Sequence, residues 1–299
     1  MNTEWLKLSK ERKIEIINQV SNRTGLPPIA VEKDWWVTLT LYCSFNQKYS
    51  EHIVFKGGTS LSKGWNLIER FSEDIDLAID RKYFGFEGDI SKNQIKKLRK
   101  RSCDFISNNF AGDLTSIFTD LNVTDECQVK AIETNESDRD PQVIEIDYNS
   151  VLEKSDYVPS RVLIEVSSRS LMEPSEGREI NSFIGGTFTD QSFSTKPFTI
   201  LTVLPQRTFL EKIFLLHEKF SQVNSRTNAE RLSRHLYDIE KLMDSEYGNA
   251  AFDPPDEVIE EWEKDYNTMK ENMIYGIVID FNSLIKRIEE LQNRINQLN

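Results

Sequence analysis

Two aspartates one residue apart, Asp74 and Asp76, follow closely on a glycine pair, Gly57-Gly58. In an extended chain alternate residues share a face, so a strand from Asp74 to Ile79 sets Asp74, Asp76 and Ala78 on one side and Ile75, Leu77 and Ile79 on the other. Two carboxylates a few ångströms apart repel unless a cation lies between them. Hard oxygen donors that leave room for phosphate oxygens and water suit Mg²⁺. The glycine pair ends the β-prone run Ile53-Val54-Phe55, where a missing Cβ lets the backbone turn and approach a ligand. Thr59 or Ser60 is then placed to cap a helix over Leu61 to Ile68, leaving N–H groups free to face an anion. The chemistry these spacings suit is the holding of a nucleotide and its metal.

Each feature alone is weak, because a Gly-Gly before a helix is usually only a turn and an Asp-x-Asp is often a solvated strand face. Their order is more specific: strand, Gly-Gly-Thr-Ser, helix, then an acidic pair on an otherwise apolar strand. This order resembles the nucleotidyltransferase superfamily of DNA polymerase beta. Gly57-Gly58-Thr59-Ser60-Leu61-Ser62-Lys63 followed by Arg70-Phe71-Ser72-Glu73-Asp74-Ile75-Asp76-Leu77 is similar to its AbiEii and MenT branch, toxins of AbiE-type toxin–antitoxin systems. Glu32-Lys33-Asp34-Trp35-Trp36, the Glu211-Lys212 helix and Arg234-His235-Leu236-Tyr237-Asp238 resemble further elements of that branch.

The resemblance implies a Mg²⁺- or Mn²⁺-dependent nucleotidyltransferase that moves a nucleoside monophosphate from an NTP to an acceptor hydroxyl and releases pyrophosphate. The acceptor it implies is the 3′ end of tRNA or another RNA, and the partner a separately encoded antitoxin. Asp74 and Asp76 would bind metal, and Gly57, Gly58, Thr59, Ser60 and Lys63 would bind the nucleotide. Ser72 would line the site, Lys212 would neutralise triphosphate charge, and Asp238 would lie across the cleft from Asp74. On helix pattern alone Lys212 is solvated and Asp238 is an i,i+4 partner of Arg234. Glu165 is the one acid in the apolar run Val162 to Val166, and it reads either as a third metal ligand that orients or deprotonates the attacking hydroxyl, or as an edge-strand partner of Arg161 or Arg169.

The elements that must position these residues alternate between strand and helix up to about Leu204 and are helical afterwards, which implies an α/β (α+β) fold. A mixed sheet with flanking helices over 1–204 would be followed by an α-helical lobe over 205–299 that completes the active site. Helices are expected over Trp5–Val20, Ile29–Ser44, Lys92–Asn109, Arg207–Lys219 and Arg231–Met243. In the last of these Leu232, Leu236, Ile239 and Met243 form the core face. Strands are expected near Leu114–Leu121, Gln128–Thr134, Gln142–Tyr148 and Phe198–Leu204, with Glu173–Gln191 as loop and Gly185-Gly186 as its turn. Leu284, Ile288, Leu291, Ile295 and Leu298 make a short heptad-like stripe suited to packing on the helical lobe.

Composition removes several classes of function. The 299 residues can bury a substantial core, and no apolar run approaches the ~20 residues needed to span a bilayer, so a cytoplasmic protein without membrane contact is expected. Cys43, Cys103 and Cys127 lie far apart, as do His52, His217 and His235, which argues against a disulfide framework, a zinc site or nucleophile–His catalysis. A formal charge of −12 opposes nonspecific coating of nucleic acid, so an RNA partner must meet a local patch. Lys92, Lys96, Lys97, Arg99, Lys100 and Arg101 supply one, unless they are simply a solvated helix face. Rival functions are a transferase acting on a protein or small molecule, and a nucleotide-binding regulator without turnover.

Overall fold

The computed structural model describes residues 1–88, 90–134, 136–153, 159–168, 172, 174–221, 229–252 and 286, with the side chains of 217–221, 229–232, 249, 251 and 252 outside the description. The stripe from Leu284 to Leu298 lies outside the described residues. The chain divides into two compact units, Met1–Leu204 and Pro205–Asn299.

The first unit is a mixed α/β structure. Helices α1 (Lys10–Thr24) and α2 (Pro28–Phe45) lead into strand β1 (Ile53–Lys56), helix α3 (Gly57–Lys63) and strand β2 (Ile75–Ile79). Helices α4 (Lys92–Phe105) and α5 (Ala111–Asp120), joined by a π-helical turn, follow. Strands β3 (Cys127–Ala131), β4 (Gln142–Tyr148), β5 (Arg161–Ser167) and β6 (Ser175–Ile180), helix α6 (Phe183–Thr187) and strand β7 (Phe198–Val203) complete it. Among the described residues the seven strands form one sheet in the order β3-β4-β5-β2-β1-β7-β6. β1 runs antiparallel to β2 and parallel to β7, and β2 runs parallel to β5.

Strand alternation divides the sheet into two unlike faces. Ile53 and Phe55 of β1, Ile75, Leu77 and Ile79 of β2 and Val162, Ile164 and Val166 of β5 all enter one buried core. The helical layer covers this face: α2 packs on β5, and Trp36 of α2 stacks on Tyr148 of β4 at 4.9 Å. The opposite face carries Lys56, Asp76 and Glu165, which stand in one row because the register pairs Asp76 with both Lys56 and Glu165. An apolar helix side thus anchors the strands while their polar side stays half-buried.

Four local expectations differ from the structure. Residues 114–120 are helical in α5, because Phe110, Leu114 and Phe118, spaced four apart, are fully buried and set a helical period over the β-branched Thr115, Ile117 and Thr119. Glu173–Gln191 is not all loop: β6 pairs antiparallel with β7, and Gly185-Gly186 lies in α6, whose N-cap Ser182 accepts from the Gly185 N–H. The helix after β1 starts at Gly57 and ends at Lys63, so Thr59 and Ser60 are buried in its first turn and do not cap it. Strand β2 begins at Ile75, leaving Asp74 in the preceding loop, and Ala78 is fully buried.

Among the described residues of the second unit, helices α7 (Pro205–Ser221), α8 (Ala229–Met243) and α9 (Glu246–Phe252) pack on one another. Phe209, Ile213 and Leu216 of α7 are buried as their helical spacing requires, and Phe220 lies outside the described side chains. In α8 the expected core face is displaced. Leu236 is 51% exposed, whereas Asp238 and Leu242 are fully buried.

Candidate active site

The turn between β1 and α3 is built around its glycines. Gly57 has φ +74°, a left-handed conformation that disfavours a side chain. A Cβ at Gly57 would lie 1.9 Å from Asp76 Oδ2, and one at Gly58 would lie 2.8 Å from the Arg70 guanidinium and 3.1 Å from Ser72 Oγ. The acidic strand and the loop before it are therefore seated directly on the glycine backbone. Close approach, which the sequence suggested for a ligand, is already used here for the protein's own carboxylate.

Thr59 secures the same contact from the helix side. Its hydroxyl lies 2.9 Å from Ser72 Oγ and also reaches the carbonyl of Asp74. A hydroxyl has one proton to give, so Thr59 donates to the carbonyl and accepts from Ser72. Ser60 Oγ donates to the Gly57 carbonyl at 2.8 Å, holding the turn closed. Ser72, Asp74, Asp76 and Glu165 are all half-buried. Glu165 stands opposite Asp76 in the parallel β2–β5 pair, and the guanidinium of Arg161 is bonded to Glu145 at 2.7 Å. Arg169, the other partner considered for Glu165, lies outside the described residues.

The donor set suits a hard cation whose remaining ligands come from elsewhere. Among the described residues no group of three or more His, Cys, Asp or Glu side chains is arranged to hold a metal ion. A closed cage of Asp74, Asp76 and Glu165 is thus not formed. Mg²⁺ typically takes one or two protein carboxylates and fills its octahedron with water and substrate phosphates, and the carboxylate pair beside the glycine turn fits that requirement.

Lys63 is placed otherwise than a nucleotide ligand. Its side chain is 6% exposed, its ammonium pairs with Asp34 of α2, and it donates to the Asn181 carbonyl at 3.1 Å. Sequence reading missed this function because Asp34 is 29 residues away. The same holds for Lys33, whose ammonium pairs with Glu73 at 2.5 Å. The signal available was three consecutive charges, Glu32-Lys33-Asp34, in an otherwise apolar helix.

In the helical unit Lys212 is buried, and its Nζ lies 2.8 Å from Asp238 Oδ2 and 3.5 Å from His235 Nδ1. Lys212 thus does not occupy the solvated face that helix pattern alone suggests, and Asp238, fully buried, pairs with it across the two helices. Helix α4 exposes Lys92, Lys96, Lys97, Lys100 and Arg101, while Arg99 lies 3.9 Å from Asp138. The far end of α4 is anchored where Cys103 Sγ meets buried Gln142 Oε1 at 3.6 Å. Gln142 pairs with Val166, a residue of the core face, so this end of α4 packs on the face opposite Asp76 and Glu165.

The sequence profile described as nucleotidyl transferase AbiEii toxin, type IV toxin–antitoxin system, matches residues 40–297. No curated protein matches the chain. Among solved structures the chain is similar to JHP933 from Helicobacter pylori, at 15% identity and TM-score 0.39, covering 89% of this chain and 98% of that one. It is also similar to MenT4, a nucleotidyltransferase toxin from Mycobacterium tuberculosis, at 17% identity and TM-score 0.38, covering 76% of this chain and 70% of that one. With a profile match that spans most of its length, the chain belongs to the AbiEii family of nucleotidyl transferase toxins of type IV toxin–antitoxin systems.

Proposed function

We propose that the chain transfers a nucleoside monophosphate from an NTP to an acceptor hydroxyl, the 3′ end of tRNA foremost, in a reaction that needs Mg²⁺ or Mn²⁺. The observation that carries this reading is the seating of Asp76 on Gly57, with Thr59 tying Asp74 and Ser72 to the same turn. It brings an acidic pair and a turn with backbone N–H groups to one place.

Asp74 and Asp76 are the metal ligands, and a bound divalent ion would neutralise phosphate charge and polarise the reacting phosphorus. Gly57, Gly58, Thr59 and Ser60 contribute backbone to the phosphate cradle, since the hydroxyls of Thr59 and Ser60 are spent inside the protein. Ser72 lines the same turn. Glu165, beside Asp76, takes the proton of the acceptor hydroxyl as its oxygen bonds to the α-phosphorus. The bond from that phosphorus to the bridging oxygen of the β-phosphate breaks, and pyrophosphate leaves with the bonding electrons. Within the helical unit Lys212 is held by buried Asp238, and the role the family resemblance gives it is to supply positive charge for the triphosphate. Positioning and electrostatics carry the rate, which accords with the lack of any need for a covalent nucleophile.

The setting is cytoplasmic, with a separately encoded antitoxin as partner; no described helix is long and apolar enough to cross a membrane. The test is incubation with Mg²⁺, each α-³²P-labelled NTP and total cellular RNA, alongside Asp74→Ala/Asp76→Ala. Label at tRNA size that needs both carboxylates is expected. Label on protein or on a small molecule would replace the acceptor, and NTP bound but never consumed would replace the enzyme with a regulator.

A further inference from the structure

Helix α2 carries Glu32, Lys33 and Asp34 in succession, each no more than 3% exposed. Successive helical residues point about 100° apart, so three in a row reach three different sides of the helix. Burying a charge is costly unless it is paired and hydrogen-bonded, and each of these is met by a specific partner. Glu32 accepts from Ser150 Oγ at 2.5 Å and from the Val151 N–H at 2.8 Å. Lys33 pairs with Glu73 and donates to the Pro159 carbonyl at 3.3 Å. Asp34 pairs with Lys63 and accepts from the Phe183 N–H at 2.8 Å.

Two of the three ties reach segments that bear on Asp74. Glu73 is the residue before Asp74, so the Lys33 ammonium fixes the chain on one side of that carboxylate. Lys63 ends α3, the helix whose Thr59 hydroxyl holds the Asp74 carbonyl, so Asp34 fixes the other side. Asp74 precedes β2, whose register begins at Ile75, so the segments that flank it bear directly on where its side chain stands.

We propose that Lys33, through Glu73, is a positioning residue that sets the Asp74 carboxylate against that of Asp76, with Asp34 and Lys63 as the second strut. This rests on the reading of Asp74 and Asp76 as metal ligands. A loop free to swing would separate the two carboxylates, weakening cation binding and lowering turnover while leaving the glycine turn, and hence the NTP contact, largely in place.

The test uses the full chain as wild type, Lys33→Met/Glu73→Gln, Lys33→Met alone, and Asp74→Asn. The double variant removes both charges together, so no uncompensated buried charge is left, and the single variant removes the buried charge and leaves only the more exposed Glu73 carboxylate should the double fail to fold. Free Mn²⁺ is counted by electron paramagnetic resonance in the presence of a non-hydrolysable NTP analogue, and label transfer is measured beside it. The expected result is Mn²⁺ binding weaker by tenfold or more and kcat lower by a similar factor in both Lys33/Glu73 variants, with KM for NTP within twofold. Mn²⁺ binding and kcat unchanged in those variants, while Asp74→Asn loses both, would overturn the positioning role. Mn²⁺ binding unchanged in Asp74→Asn as well would overturn the metal site on which it rests.

Discussion

At Gly57 a single methyl group would act on the site and on the backbone together. The residue has φ +74°, and its missing Cβ is the space taken by Asp76 Oδ2. Gly57→Ala must therefore push the carboxylate away and also hold a left-handed backbone that costs an L-residue about 1–2 kcal/mol. A displacement of about 1 Å in a positioned group can cost on the order of 100-fold in rate. Label transfer by Gly57→Ala should fall by about that factor or more, with a folded protein by circular dichroism; retained activity would mean that Asp76 is not needed where it stands. Thr59→Val tests the neighbouring contact at constant shape. It removes the donor to the Asp74 carbonyl, a loss of about 1–3 kcal/mol if the carbonyl is left unsatisfied, and should lower kcat more than it raises KM for NTP. These residues were legible in the sequence because their spacing is local. What Gly57 and Thr59 touch was not, since the partner of each comes from another element.

At the scale of elements, legibility followed the length of the periodic signal. Strands β4, β5 and β7 and helix α2 stand within a residue or two of where alternation and helical spacing put them. Segment 114–120 was mistaken because β-branched residues dominate its exposed side, and β6 because Ser175–Ile180 carries mostly polar residues whose pairing with β7 only the folded chain supplies. Buried charges were the least legible feature, and they can be tested. Burial, partly offset by the hydrogen bonds from Ser150 and Val151 and by Lys13, raises the Glu32 carboxyl above its ordinary 4.5. The folded state then holds this proton more tightly than the unfolded one, so Glu32 subtracts stability as pH rises from about 4.5 toward the raised value. Glu32→Gln should lack this component, and its urea midpoint should gain on wild type across that window; parallel curves would refute it. In the helical unit, Asp238→Ala strands a buried Lys212 and should cost about 3–5 kcal/mol, whereas Lys212→Met/Asp238→Leu should cost much less. Urea titration of both separates a buried pair from two independent residues.

Over the whole molecule, an acidic protein has to meet a polyanion locally if RNA is its acceptor. The chain carries −12 overall, yet α4 displays Lys92, Lys96, Lys97, Lys100 and Arg101 to solvent. The anchored end of α4 is on the sheet face opposite Asp76 and Glu165, so an NTP held by those carboxylates does not reach that end of the helix. Each phosphate neutralised on single-stranded or duplex nucleic acid contributes about 0.7 to 0.9 to the slope of log affinity against log salt. Lys96→Glu/Lys97→Glu/Lys100→Glu should therefore lower that slope by about 2 to 3 for tRNA if all three lysines contact phosphate. Binding of the NTP analogue should be unchanged in the same variant, because none of the three residues lies in the row of Lys56, Asp76 and Glu165. A slope identical to wild type, measured between 50 and about 200 mM salt, would make α4 a solvated face and leave RNA to be bound elsewhere. A lower slope together with weakened NTP binding would instead trace the effect to the protein's overall field, which acts on every anionic ligand alike.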